Sequence, residues 1–288
     1  MGEGQKKEVS AMEDHKIVEL YLARDEAEKT MNKAELHRIW LEEERIAHIK
    51  GWDFSHIEDR YEEGTDFPWD YREVVQKYLT PESKLLDIDT GGGEFLLSLE
   101  HPYKNTAATE GFVPNVQLCK ETLLPLGIDF RETDGCGKLP FEDTSFDMVI
   151  NRHGDFCAEE IWRVLKPGGV FVTQQVGADT DRELVESLMT EVPDLPFPEQ
   201  YADIAVKKFE DVGFEILDKQ EAFRSIRFWD VGALVWFARI IEWEFPGFSV
   251  DGCLENLYRI QALLEQDGAV EAKTHRFMLV AKKEEKRK

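Results

Sequence analysis

A glycine-rich turn after a short apolar strand constrains this chain more than any other stretch. Residues 84–95 read KLLDIDTGGGEF, in which Leu85, Leu86 and Ile88 form the continuous apolar run of a strand buried on both faces. Three consecutive glycines, at 91–93, follow where such a strand would turn into a helix. Glycines let the backbone approach a ligand closely, and the start of the next helix offers unpaired N–H groups. The stretch therefore predicts a nucleotide site.

The spacing of these glycines excludes two common nucleotide motifs. The dinucleotide fingerprint G-x-G-x-x-G does not fit, because the three glycines are contiguous and Asp89 stands before them. A phosphate loop is excluded as well, since no G-K-[ST] follows.

Downstream of the turn, apolar runs typical of strands alternate with segments typical of helices. Parallel strands joined by right-handed helical crossovers give this alternation, so we expect a doubly wound α/β sheet. After the first strand, the predicted strands cover residues 106–110, 129–133, 146–151, 170–176, 214–221 and 275–282. The predicted helices cover residues 17–49, 70–79, 94–100, 114–126, 158–165 and 201–211, and residues 51–69 are expected to form a loop.

The expected organisation is one large α/β domain with appendages. The domain covers residues 81–283 and is followed by a charged tail at 284–288. It is preceded by a helical extension over 1–80, whose first ten residues are expected to be disordered or tag-like. Residues 228–269 interrupt the last pair of strands with apolar, Trp-rich helical patterns, which is longer than most connections. Open sheets bind ligands at the C-terminal ends of their strands, so we expect this insertion and the N-terminal helices to form a lid. The alternative is an added packing layer.

The acidic composition disfavours several classes of function. A formal net charge of -24 and a pI near 4.7 oppose broad contact with a nucleic-acid backbone, which needs a basic face.

The sequence has no long apolar run and no hydrophobic signal core, so we expect a cytoplasmic protein without a membrane segment. The four cysteines are Cys119, Cys136, Cys157 and Cys253. They show neither C-x-x-C pairing nor zinc-ligand spacing, which predicts reduced thiols and no structural metal.

Two further carboxylates stand where predicted strands end. Glu110 ends the second strand at 23 residues after Asp87, where a carboxylate can accept hydrogen bonds from both hydroxyls of a ribose. Asp134 ends the third strand, where it could accept a bond from an adenine amino group. The alternative roles are a surface carboxylate or helix cap for Glu110 and a turn-forming residue for Asp134.

Four ordered stretches resemble the class I S-adenosylmethionine-dependent methyltransferases. They read LLDIDTGGGEF at 85–95, TAATEGFVPN at 106–115, LPFEDTSFDMVIN at 139–151 and VLKPGG at 164–169. The family pattern is an acidic strand end followed by G-x-G-x-G, and Asp89 stands here in place of the first glycine. The resemblance implies a mostly parallel seven-stranded sheet with one antiparallel strand, here 275–282.

The resemblance also implies roles for particular residues. It places Asp87, Gly91 and Gly93 around the methionine moiety of the cofactor, with Asp89 at the altered position of the same loop. It places Glu110 on the ribose, Asp134 near the adenine, and Asn151 at the end of the fourth strand beside the sulfonium.

Residues just past the fourth strand are candidates for the chemistry. Methyl transfer from a sulfonium is an in-line displacement in which alignment does much of the work, so a general base is optional. The run NRHGD at 151–155 supplies His153 as a candidate base and Asp155 as a second one, while Arg152 could hold an anionic group. The alternative for His153 is a loop residue hydrogen-bonded for structure.

We therefore expect an S-adenosylmethionine-dependent methyltransferase acting on a small-molecule acceptor. Two alternatives remain open. An RNA methyltransferase would need a basic channel beside the pocket, which the overall acidity disfavours. A binding or regulatory protein would keep the cofactor pocket without catalysis.

Overall fold

The computed structural model describes residues 33–49, 53–133 and 137–284, which form one mixed sheet with helices on both faces. The strands are β1 (Tyr61–Glu63), β2 (Leu85–Ile88), β3 (Thr106–Glu110), β4 (Asp129–Glu132), β5 (Phe146–Arg152), β6 (Leu165–Val176), β7 (Phe214–Phe228) and β8 (Val270–Lys283). The α-helices of the described residues are α1 (Lys33–Ile46), α2 (Tyr71–Tyr78), α3 (Glu94–Ser98), α4 (Val113–Thr122), α5 (Ala158–Val164), α6 (Arg182–Leu188), α7 (Ala202–Val212), α8 (Val231–Ile240) and α9 (Leu254–Asp267).

The strand order is β1-β7-β8-β6-β5-β2-β3-β4. Strands β2 to β6 pair in parallel, whereas β8 is antiparallel to both β6 and β7. The predicted doubly wound, mostly parallel sheet is confirmed. Because β4, β3, β2, β5 and β6 all point the same way, the turns that follow them meet at one edge of the sheet.

In the described part of the chain the sheet has eight strands, one more than the seven predicted. The additional strand is β1, which pairs antiparallel with the end of β7 in a segment that the sequence predicts to be a loop. Three residues are too few to show an alternating pattern. Their partners lie far along the chain, and the Tyr61 ring stacks on Phe228 at a centroid distance of 5.7 Å. Tertiary packing, rather than local sequence, makes this strand.

The pair β7 and β8 continues beyond the edge of the parallel sheet. Pairing between β6 and β8 ends at Val176 and Arg276, whereas β7 and β8 remain paired as far as Phe228 and Val270. Both strands are therefore longer than predicted. The projecting part, here called the ribbon, carries the residues on which the helices of the insertion pack.

Alternation along the buried strands divides the core into two layers. Leu86 and Phe171 face one side of the sheet, with Ile161 of α5 and Phe209 of α7. The opposite side carries Leu85 and Val172, which pack with residues of α2, α3 and α4. Sheet positions buried on both faces explain why these strands read as continuous apolar runs.

A third cluster of buried residues lies over the ribbon, and we call it the cap. It joins α1, α6, α8 and α9, with Trp40 and Trp236 among its largest fully buried side chains. Helix α8 begins after Asp230, whose side chain accepts a hydrogen bond from the Ala233 N–H at 2.9 Å. The helices predicted in the insertion are thus present. Helix α6 was not predicted.

Several predictions fall on residues outside the described part of the chain. These are the disorder of residues 1–10, the first half of the helix at 17–49, the tail beyond 284, and Asp134. None of the described helices combines the length and the apolar composition that crossing a bilayer requires.

Candidate active site

The described residues of the predicted site lie at the edge where the parallel strands end. Asp89 follows β2, Glu110 ends β3, and His153 follows β5. In the sheet β2 lies between β3 and β5, so these three strand ends are neighbours. The glycine turn and Glu110 therefore lie side by side at this edge.

The glycine turn is built from residues in the left-handed region of backbone space. Asp89, Gly91 and Gly93 have φ of 53°, 65° and 87°. A Cβ on Gly93 would come within 2.8 Å of the Leu123 side chain, whereas a Cβ on Gly91 would meet nothing within 4 Å. The backbone at Gly91 therefore borders open space, while Gly93 is needed for packing.

The N–H groups of this turn are more occupied than the sequence predicts. Thr90 N donates to Thr109 O at 3.0 Å, Gly93 N donates to Thr90 O at 3.1 Å, and Gly91 N donates to the Glu110 carboxylate at 2.8 Å. Helix α3 has only five residues, so its dipole adds little at the turn. Recognition at this turn must rest on shape and on carboxylates rather than on a row of free N–H groups.

Glu110 is the most firmly held carboxylate of the site. It is 5% exposed, and it accepts three backbone hydrogen bonds, from Gly91 N at 2.8 Å, Gly111 N at 2.9 Å and Phe112 N at 2.8 Å. Oε1 accepts two of these bonds and Oε2 accepts one. A carboxylate has about four acceptor positions, so Oε2 retains capacity for about one further donor.

Asp87 lies beneath the turn as a buried acid. Its Oδ2 accepts a hydrogen bond from Thr90 Oγ1 at 2.6 Å. The pKa of Asp87 is raised to about 7, mainly by burial. The hydrogen bond from Thr90 and the positive charge of Arg152 oppose this rise, whereas the negative charges of Asp89 and Glu110 add to it. Near neutral pH this carboxyl is therefore poised to lose a proton when a positive charge arrives.

Asp89 packs against the turn that follows β5. A Cβ on Gly154 would overlap Asp89 Cβ and would stand 3.1 Å from Asn151 Nδ2. Only glycine fits at 154, and its close approach joins the glycine turn to the loop that carries His153 and Asp155. The side chain at 89, where the family pattern has glycine, is accommodated by the missing side chain at 154.

The Asn151 side chain connects strands rather than facing open space. It is fully buried; its Nδ2 donates to Ile88 O at 3.0 Å, and its Oδ1 accepts bonds from Thr173 and Gln175. Tyr71 donates to the Asn151 carbonyl at 2.9 Å. Asn151 therefore fixes the relative positions of β2, β5 and β6 at the site.

His153 is held in an uncommon backbone conformation. Its φ is 65°, its N–H donates to Gln174 O at 2.9 Å, and its Nε2 lies 3.0 Å from Gln174 Nε2. Surrounding protein, together with the positive charges of Arg276 and Arg152, lowers the pKa of His153. The residue is nonetheless exposed to solvent, so its desolvation is partial. Non-glycine residues at positive φ are found disproportionately at functional sites.

A cleft of about 870 Å³ opens beside this loop. One wall is the segment from Gly154 to Glu159, which includes the exposed Asp155, and the other consists of the loop at 196–200 and helix α7. Phe197 is 48% exposed between Pro196 and Pro198. Of the described residues that line the cleft, Lys208 is the only cation, and it pairs with Glu199. The cleft is apolar with an acidic margin.

Two apolar residues beside Glu110 were not singled out from the sequence. Phe112 and Val113 are 62% and 74% exposed at the start of α4. Two large apolar side chains are therefore open to solvent directly after Glu110. The sequence does show two large apolar residues directly after the acid, in the run EGFV at 110–113.

The other missed residues are Trp69 and Gln174. Trp69 Nε1 donates to Gln174 Oε1 at 2.7 Å, and Gln174 in turn contacts His153. Nothing in the sequence relates a tryptophan before α2 to a glutamine in β6, because their contact depends on the sheet.

Comparison with known proteins places the site in a family context. Residues 86–173 match the family model described as a methyltransferase domain. The phthiotriol/phenolphthiotriol dimycocerosates methyltransferases of Mycobacterium tuberculosis (strain H37Ra) and Mycobacterium bovis (strain AF2122/97) are each 35% identical over 88 residues, which is 28% of this chain and 32% of the relative. The chain thus matches about a third of the length of these curated relatives.

One solved structure supports the fold. A crystal structure from Bacillus halodurans C-125, named as that of a candidate methyltransferase, has a TM-score of 0.53 and 16% identity. The match covers 75% of this chain and 99% of that chain. At this identity it shows the fold alone. The predicted family resemblance is confirmed by the family-model match together with this fold.

Proposed function

We propose that this chain, whose residues 86–173 form a methyltransferase domain of the class I fold, transfers a methyl group from S-adenosylmethionine to a small-molecule acceptor. The observation that carries the proposal is the Glu110 carboxylate, which three backbone N–H groups hold at the end of β3 beside the glycine turn. A carboxylate fixed in this way, with acceptor capacity left on one oxygen, suits a ribose hydroxyl.

The residues at the strand ends fit the remainder of this cofactor. The open space at Gly91 allows a ligand to approach the backbone, and the exposed Phe112 and Val113 offer an apolar surface to the adenine. Asp87 and Asp89 supply negative charge for the cationic methionine end. In this proposal Gly93 packs the loop and Asn151 positions the strands around it, whereas the resemblance implies that Gly93 lies around the methionine and Asn151 beside the sulfonium. Asp134, in the adenine role, lies outside the described residues.

The protein contributes position and charge rather than a metal or a covalent step in this proposal. When bound, S-adenosylmethionine supplies an activated methyl group on a positively charged sulfur. Asp87 and Glu110 orient the donor from one side of the strand edge, and the loop at 153–155 faces the acceptor from the other. Alignment of two bound reactants removes much of the entropic cost of their meeting.

We place the acceptor in the cleft beside Gly154. Its volume of about 870 Å³ lies within the range of about 300 to 1,000 Å³ that small-molecule sites occupy. Gly154 lines the cleft and also packs on Asp89, so the cleft begins next to the donor side. The apolar wall at 196–198 suits an acceptor with apolar character, in keeping with the lipid names of the mycobacterial relatives. Asp155 is placed to take a proton from an acceptor hydroxyl or amine.

Asp89 favours one further candidate function. It stands at the position of a family glycine with φ of 53°, a conformation that non-glycine residues adopt at a cost. A protein that binds the cofactor without turnover would tolerate such a change more readily than an enzyme.

The free thiols of Cys119, Cys157 and Cys253 suit a reducing compartment for either function, so we propose a cytoplasmic location.

Titration calorimetry tests the choice of cofactor. We expect S-adenosylmethionine and S-adenosylhomocysteine to bind, because the glycine turn and Glu110 match a nucleoside without matching the dinucleotide fingerprint. A nicotinamide dinucleotide serves as the control ligand. If it binds as tightly as S-adenosylmethionine or more tightly, the proposed cofactor is wrong.

A further inference from the structure

Trp69, Gln174 and His153 form a chain of hydrogen bonds whose direction is fixed. Trp69 Nε1 lies 2.7 Å from Gln174 Oε1, and Gln174 Nε2 lies 3.0 Å from His153 Nε2. An indole N–H can only donate. The amide oxygen of Gln174 must therefore face Trp69, and the amide NH₂ must face His153. The tryptophan decides which way the amide points.

This direction determines the protonation state of the imidazole. An amide NH₂ can only donate, so the Nε2 atom of His153 must accept and must carry the lone pair. The neutral ring then has its proton on Nδ1. A proton on Nε2 would set two donors against each other at 3.0 Å. We infer that Trp69 and Gln174 are positioning residues that hold His153 neutral and protonated on Nδ1, as a hydrogen-bond donor rather than a general base.

The frame around the ring has little freedom. Trp69 is 8% exposed and stacks on Phe67 at a centroid distance of 5.2 Å. Gln174 is the register partner of Arg152 in the sheet, and its carbonyl accepts the His153 backbone N–H at 2.9 Å. His153 is thus attached to Gln174 by both main chain and side chain. Trp69 lies before residue 86, so the segment ahead of the methyltransferase domain sets the state of a residue at its active edge.

The charged groups that face His153 act in the same direction. Arg152 of β5 and Arg276 of β8 both disfavour a second proton on the ring, and both side chains are held elsewhere. Arg152 lies 5.1 Å over the Phe95 ring, and Arg276 pairs with Glu63 at 2.7 Å. Asp155 is the nearest acidic residue along the loop. Around the imidazole, two cations and the Gln174 amide donor favour the neutral ring, and only Asp155 on this loop opposes them.

The consequence for the reaction rests on the proposed function. The Nε2 atom of the neutral ring is occupied by Gln174, so the ring can offer the methyl acceptor only its Nδ1–H. This group donates a hydrogen bond to a lone pair of an oxygen atom, such as that of a carbonyl group. The acceptor would then give its proton to Asp155. The bound cofactor would supply the methyl group, and its sulfur would keep the electron pair of the carbon–sulfur bond that breaks as the acceptor lone pair bonds to the methyl carbon. This assigns donor and base to different residues of one loop and replaces the base role predicted for His153.

Nitrogen-15 NMR of the uniformly labelled full chain tests the inference without any acceptor. At pH 7 we expect His153 to show the Nδ1–H tautomer. Two other histidines provide internal references, because His101 Nε2 lies 2.9 Å from the Ser83 carbonyl and His275 Nδ1 accepts from Asp179 N at 3.3 Å. Both must be Nε2–H tautomers. An Nε2–H or doubly protonated His153 at pH 7 would overturn the inference.

The variant Gln174→Glu should reverse the tautomer. A carboxylate accepts from both Trp69 and His153, so the ring should move its proton to Nε2 and its pKa should rise by about 1 to 3. Gln220→Glu, the same change in strand β7, should leave the His153 signal as it is. If Gln174→Glu fails to fold, Trp69→Phe replaces it, since the freed amide can turn and a mixture of tautomers should appear. An unchanged His153 signal in the folded variant contradicts the inference.

Turnover separates this inference from the proposed function. If the wild-type protein transfers methyl groups, its rate should show no inflection from His153 between pH 6 and 8, and Gln174→Glu should introduce one. A wild-type inflection that vanishes in His153→Asn would restore the base role and overturn the inference. If no acceptor is methylated at all, the proposed function fails, while the tautomer measured by NMR still decides the role of Trp69 and Gln174.

Discussion

The parallel part of the sheet and the cap are built by different kinds of contact. Strands β2 to β6 lie close together in the sequence, with short helices between β2 and β3, β3 and β4, and β5 and β6. Every described residue proposed to bind the cofactor lies on these strands or on the turns that follow them. In the cap, α1 packs with α8, and beside the cap β1 pairs with β7. Both pairs bring together segments that are far apart in the sequence. Segments close together in the sequence therefore form the proposed cofactor site, whereas contacts between distant segments form the layer beside it. Substitutions should separate the two.

The largest effect is expected from a substitution in the cap. Trp236 is 2% exposed and meets the Phe54 ring at a centroid distance of 5.7 Å. Trp236→Ala should lower the free energy of unfolding by about 3 to 5 kcal/mol, the usual range for removing a buried aromatic side chain. Cofactor affinity of the folded protein should not change. Denaturant unfolding and calorimetry measure the two quantities.

The matched control is Trp229→Ala, because Trp229 is 43% exposed. A surface substitution of this kind should change stability by about 0.5 kcal/mol or less. If Trp236→Ala instead weakens cofactor binding while leaving stability intact, the cap belongs to the binding site and the separation drawn here is wrong.

The next effect concerns the parallel part. Glu110→Ala removes a buried carboxylate, and a hydrogen bond to a charged group contributes about 1.5 to 3 kcal/mol, so affinity for S-adenosylmethionine should fall roughly 10- to 100-fold. Glu132→Ala is the control, because Glu132 is the register partner of Glu110 at the end of β4 and is exposed. Calorimetry should find its affinity unchanged. Equal affinities in both variants would remove Glu110 from the site.

A smaller effect is expected from pH. The pKa of Asp87 is about 7 in the free protein, and a bound cation favours the ionised carboxylate. Binding of the cofactor below pH 7 therefore releases a proton from Asp87. The affinity for S-adenosylmethionine should rise as pH increases through 7, by roughly tenfold between pH 6 and 8. Asp87→Asn provides the control, because subtracting its profile removes the titration of the ligand itself. Identical profiles for the two proteins would show that Asp87 stays in one state.

The smallest effect is expected in the exchange of backbone amides over residues 228–269. We propose that this segment, with the N-terminal helices, closes over the acceptor, and closing segments exchange more slowly when their ligands are bound. Hydrogen exchange should slow there only when donor and acceptor are both present. Protection that ligands do not alter would favour the packing-layer alternative.

The contrast between the two regions also explains how much could be read from the sequence. Strand β2 was predictable because Leu85, Leu86 and Ile88 are buried on both faces, so burial leaves a continuous apolar run. The placement of Glu110 beside the glycine turn follows from the parallel order alone. Strand β1 was not predictable, since its three residues gain their conformation only from pairing with β7.

Hydrogen-bond saturation was equally hidden at the site. Nothing in the run TEGF shows that the Glu110 carboxylate accepts three N–H groups, because one of them comes from Gly91 in the turn that follows a different strand. Likewise, His153 reads as a base from its residue type and position. Gln174 alters that role, and its location depends on the register between β5 and β6. Sequence indicates which groups gather at a strand edge, whereas the sheet decides which lone pairs remain free.

Transfer of a labelled methyl group tests the central claim most directly. The full chain is incubated with S-adenosylmethionine carrying an isotope-labelled methyl group and with a metabolite extract, and mass spectrometry searches for products heavier by one labelled methyl. We expect at least one such product, formed by the wild-type protein and by Glu132→Ala but strongly reduced with Glu110→Ala. Tight cofactor binding without any labelled product would contradict the claim of catalysis and leave the chain as a cofactor-binding protein.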